Sequence, residues 1–106
     1  MPTIAAQRAI EKIEADIEFA RSLYLAAHVN VNTAASARFA ATAAANKARD
    51  AANSHNGNMV EVRAYAVSYI AAEKSFAAYD EAYDAAEIAS TRLQTLCDKL
   101  AALQAR

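Results

Sequence analysis

A chain of 106 residues with one glycine, one proline, one cysteine and no tryptophan has few means of breaking a helix or building a tight catalytic site. A single glycine, Gly57, cannot supply a phosphate-cradling loop, which needs several close backbone approaches. A lone cysteine, Cys97, cannot close an internal disulfide, so nothing in the sequence asks for an oxidising compartment. An excess of one charge is lacking too. Lys and Arg number 11 against 12 Asp and Glu, so the basic surplus by which nucleic-acid binders hold phosphate is absent. Long apolar runs are also missing. The longest stretch free of formal charge, Ser22 to Ala37, carries His28, Asn30, Asn32, Thr33 and Ser36, and is too polar and too short to span a bilayer. Arg8, Glu11 and Lys12 precede any apolar run, which does not read as a signal peptide. These absences predict a cytoplasmic protein whose partner is neither a membrane nor a nucleic acid.

What is present is alanine, 31 residues of it. Alanine has the highest helix propensity, and glycine and proline have the lowest. The composition therefore predicts a single all-α domain over 1–106. Because over half of the hydrophobic fraction is alanine, the core must be thin and its helices close together. The helical period bears this out along the chain. Thr3 is placed to cap a first helix, on which Ile10, Ile13, Ile17, Ala20, Tyr24 and Ala27 recur at spacings of three and four. Residues 33 to 53 gather their alanines on one arc of a helical wheel, with Arg38, Thr42, Asn46 and Asp50 on the other side. From Met59 onward Val62, Tyr65, Tyr69, Ala72, Phe76, Tyr79 and Tyr83 open a stripe that reaches Cys97 and Leu100. Small side chains on one arm and large ones on the other, joined by the turn at 54–58, predict two packed faces.

Two architectures fit this pattern. Either each arm is one long helix and the chain is an antiparallel hairpin, or the run Asn30-Val31-Asn32-Thr33 breaks the first arm. A break there would give a helical bundle of three to four segments. The scarcity of large aliphatics favours the bundle, because a lone hairpin buries little. A second apolar strip on the last arm, through Val60, Val67, Ala71, Ala78, Ala85 and Ala89 and continued by Leu96 and Leu103, offers a surface for a homo-oligomer.

His28 and His55 lie far in sequence from Cys97, and Cys97 continues the buried stripe as an inert thiol. The Glu-x-x-His pairs of helical di-metal sites are missing, since Leu25 and Ala52 stand three residues before the two histidines. The expectation is a protein without enzyme activity, cofactor or metal, working by contact with another protein. Acids cluster on the last arm, where Glu73 to Glu87 holds five against Lys74 alone. Tyr79, Asp80, Tyr83, Asp84 and Glu87 mix aromatic area with negative charge, which suits a partner with a basic surface. Phe39, a large ring among polar neighbours, either packs under another segment or is an exposed anchor. The candidate partner-binding residues are thus Phe39, Tyr79, Asp80, Tyr83, Asp84 and Glu87, in a small inhibitor or adaptor of bacterial or phage type that occludes a partner's surface.

Two arms, a central turn at His55-Asn56-Gly57 and a later Tyr83-Asp84-Ala85-Ala86-Glu87 also resemble the WXG family of small secreted hairpins. There the first group would stand at the Trp-x-Gly turn and the second at the export signal. The resemblance implies a secreted helical hairpin. This sequence departs from it in having no tryptophan and in carrying a second Tyr-x-x-x-Glu, from Tyr69 to Glu73.

Overall fold

Two helices account for nearly all of the chain in the computed structural model, which describes residues 3–54 and 58–105. Helix α1 runs from Ile4 to Ser54 and α2 from Met59 to Gln104. Each begins on a side-chain cap. The backbone N–H of Ala6 donates to the Thr3 hydroxyl at 3.0 Å, and that of Val60 donates to Asn58 Oδ1 at 2.9 Å. Both satisfy an amide that the first helical turn leaves without a carbonyl. At the far end of α1 the Ser54 hydroxyl donates to the Asp50 carbonyl at 2.8 Å. Of the turn expected at 54–58, His55, Asn56 and Gly57 lie outside the described residues.

The break expected at Asn30–Thr33 does not occur, and three to four segments reduce to two. Asn30, Asn32 and Thr33 are all exposed, so their polar side chains lose no water in the helix, while Val31 and Ala34 turn inward. With no glycine or proline to enforce a stop, a few tenths of a kcal/mol of poor propensity per residue yields to the packing on either side.

The helices meet in two compact units. Unit 1 joins Met1–Val29 with Asp84–Arg106. Its α1 side is the predicted stripe Ile10, Ile13, Ile17, Ala20, Tyr24 and Ala27, all buried or half-buried. From α2 it receives Ala86, Ala89, Leu93, Leu96, Leu100 and Leu103, so Ala89, Leu96 and Leu103 belong to the seam and not to the second strip expected as an oligomer surface. Ala20 is the most enclosed residue, at 2% exposure, with Ile17 and Ala86 beside it in the core. Cys97 is exposed, so it does not continue the seam as its spacing suggested. Leu96 and Leu100 take the inward positions and turn the thiol out.

Unit 2, Asn30–Tyr83, is built from smaller parts. Its α1 side presents Val31, Ala34, Arg38, Ala41, Ala45, Ala48 and Ala52. Its α2 side presents Glu61, Tyr65, Ser68, Ala72, Ser75, Tyr79 and Ala82. Among the described residues its buried positions are Ala45, Ala52 and Ala72. The Ser75 hydroxyl is accommodated by donating to the Ala72 carbonyl at 2.7 Å. In both units inward positions alternate steps of three and four, the heptad signature that winds paired helices into a left-handed coil.

The large-against-small packing predicted for 33–53 and 62–83 is therefore correct in its elements but turned in its frame. Tyr65, Ala72 and Tyr79 face inward, whereas Val62, Tyr69, Phe76 and Tyr83 are displaced to one flank. A seam narrow enough to bury alanine against alanine has room for serine and alanine between its tyrosines and none for a further ring. Three ion pairs, Lys12–Asp16, Arg21–Glu18 and Arg49–Asp50, are exposed pairs of neighbours along a helix and contribute little.

Candidate protein-binding surface

The flank of unit 2 that carries the displaced rings is the most distinctive surface among the described residues. Its centre is set by one substitution in the seam. Where α1 offers alanine from Ala34 to Ala52, position 38 is arginine, half-buried. A guanidinium cannot enter an alanine seam without losing its water, so it leaves sideways along the flank. There it lies 4.1 Å from the centroid of the Phe76 ring and 5.0 Å from that of Tyr79. Such cation–π contacts are worth about 0.5–1 kcal/mol at exposed sites and more where water is excluded.

Phe39 follows directly and points outward, 79% exposed. Among the described residues no loop or third helix covers it. With Ala35, Arg38, Thr42, Phe76 and Tyr79 it lines a groove of about 380 Å³, all within unit 2. Along α2 the groove is continued in both directions. Tyr79 and Tyr83 stack one turn apart, with centroids 6.3 Å apart and planes at 29°. Tyr65 and Tyr69 meet edge to face at 6.2 Å. Val62, Tyr69, Phe76 and Tyr83 are seven residues apart, so successive members sit two turns along one side of the helix, all partly exposed.

Acids edge this row. Glu73 lies close enough to Tyr69 to raise its phenol above the ordinary 10.0, first by charge and then by accepting its hydrogen bond. Asp80 is exposed beside Tyr79 in sequence and belongs to unit 2. The remaining two predicted acids, Asp84 and Glu87, are exposed but belong to unit 1. Unit 2 therefore brings together Phe39, Tyr79, Asp80 and Tyr83, and Asp84 and Glu87 lie outside that group. Glu87 instead borders an open hollow with Ile88, Ser90, Thr91 and Arg92. Residues from one stretch of one helix cannot enclose a ligand, and no pocket chemistry follows from it.

Two members of the surface escaped sequence reasoning. Arg38 was assigned to the solvated side of α1, and Phe76 to a buried stripe. The signal for Arg38 was available: it stands seven residues from both Val31 and Ala45, in strict register with the seam. Elsewhere, His28 is exposed and its ring meets Tyr24 edge-on at 4.4 Å. Among the described residues no group of His, Cys, Asp and Glu could hold a metal ion. No helix formed by these residues is long and apolar enough to cross a membrane.

Comparison with protein-family models, with curated proteins and with solved structures gives no match for this chain. Of the residues that carry the resemblance to the WXG family, the turn lies outside the described set, and Tyr83 and Glu87 are both exposed one turn apart on α2.

Proposed function

We propose that this chain is a non-enzymatic binding module, of inhibitor or adaptor type, which covers the surface of a partner protein in the cytoplasm. The observation that carries this reading is the placement of Phe39. A phenylalanine 79% exposed, beside a guanidinium already held against two rings, costs free energy in water and gains it only when something covers it. Aromatic and arginine side chains clustered about a shallow groove have the composition that concentrates binding energy at protein interfaces. Glu73 and Asp80 at its edge would steer a partner with a basic surface, and salt would screen that steering.

The test is site-specific photo-crosslinking in the source cells. A photoreactive phenylalanine analogue at position 39 should give a discrete adduct. The same analogue at Ala78, exposed on the opposite flank of α2, should give none. Equal labelling from both positions, or no adduct from position 39, would remove the aromatic flank as the contact surface.

A further inference from the structure

We infer that the partner met by this flank is a second copy of the same chain, the two flanks closing face to face into a four-helix dimer with a two-fold axis parallel to the helices. The inference rests on the reading of the aromatic flank as a contact surface and adds the identity of its occupant.

Area is the first reason. The chain exposes 7772 Å², whereas a compact monomer of 11.3 kDa exposes about 5,700 Å². The excess, roughly 2,000 Å², is more than the ~800 Å² that each partner gives up in an ordinary stable interface. Among the described residues the buried core is Ile17 and five alanines, and Phe39, Tyr69, Phe76 and Tyr83 all stay exposed.

Charge is the second reason, and it sets the orientation. The flank is self-complementary: α1 contributes Arg38 and α2 contributes Glu73 and Asp80. Among the described residues no carboxylate lies within ion-pair distance of Arg38, although its guanidinium lines the groove. Arg38 is level with Phe76 and Tyr79 of its own α2. A two-fold axis along the helices preserves that level and lays α1 over the partner's α2. Arg38 then faces the partner's Asp80, and Phe39 faces the partner's Phe76. The other face-to-face two-fold, perpendicular to the helices, stacks α2 on α2 and sets the Glu73–Asp80 edge against itself, which like-charge repulsion disfavours. A dimer closed on this flank would leave it unavailable to any other protein.

The test is the mass of the full chain in solution by sedimentation equilibrium, under reducing conditions because Cys97 is exposed. The wild-type chain is expected at twice its 11.3 kDa at micromolar concentration. Phe39→Asp, at a side chain that is mostly exposed, should halve that mass with unchanged circular dichroism. Arg38→Glu and Asp80→Arg should each weaken the dimer at least tenfold, and the double substitution should restore it. Dimers that persist in Phe39→Asp would place the interface on another face and overturn the proposal. A wild-type monomer at all soluble concentrations would overturn it as well. In that event a position-39 adduct with a different protein keeps the contact reading, and the absence of any adduct removes both.

Discussion

Position 45 and its neighbour differ by one methyl-sized side chain's worth of environment, and that difference measures how tightly unit 2 is closed. Ala45 is buried and Ala44 is exposed. Leucine at 45 must push the helices apart or adopt a poor rotamer, so Ala45→Leu should destabilise by about 1–3 kcal/mol. Ala44→Leu should stay within about 0.5 kcal/mol of the parent. Thermal melts of the two variants check the frame of the seam directly, and equal melts would mean that the frame is misplaced. A second residue-scale expectation concerns Tyr69. Its phenol is raised by the Glu73 charge, so above pH 10.0 the unfolded chain releases that proton before the folded one. Stability from this pair is complete below 10.0 and declines as pH rises beyond it. Subtracting a Tyr69→Phe titration from the wild type in ultraviolet absorbance isolates the phenol, and Glu73→Gln should move its midpoint down.

At the scale of the element, α1 and α2 were unequally legible. The seam of α1 in unit 1 is written in isoleucine, and Ile10, Ile13 and Ile17 define its frame without help from the fold. In α2 the pattern follows the rings, yet three of the five, Tyr69, Phe76 and Tyr83, stand beside the seam, and Ser68, Ser75 and Ala82 hold places that hydrophobicity alone would not assign. Hydrophobic periodicity finds where large groups cluster, whereas a close pair of helices selects for small ones. Continuity of α1 through Asn30–Thr33 was equally hidden, since local propensity there favours a break and only the inward Val31 and Ala34 on the assembled seam oppose it. The start of α2 gives a direct test of local control. Asn58 alone among the described residues supplies its capping side chain, and Asn58→Ala should lower stability by about 1 kcal/mol, read from denaturant midpoints. The same substitution at exposed Asn46 removes no cap, so a matching loss there would discount the role of Asn58.

The whole molecule is two seams of different grain drawn from the same pair of helices. Its all-α class was plain from 31 alanines and one glycine, whereas the candidate surface was visible only in part. Phe39, Tyr79, Asp80 and Tyr83 were found as chemistry, but the groove that joins Phe39 to α2 depends on Arg38, which became visible only once the register of the two helices was known. That division has a consequence in time. Every pair within unit 2 lies at most 53 residues apart in sequence, from Asn30 to Tyr83, whereas every pairing across unit 1 spans at least 55, from Val29 to Asp84. Closing the longer loops first costs more chain entropy than closing the shorter ones and then extending them. Folding should therefore begin beside the alanines next to the turn and zip toward the termini. Truncations at Ala52 or Ala72 would then slow folding, and truncations at Ile10 or Leu100 would chiefly hasten unfolding. The leucines and isoleucines of unit 1 would act as a late latch that governs how long the chain stays folded, while the rate at which it forms is decided by its smallest side chains.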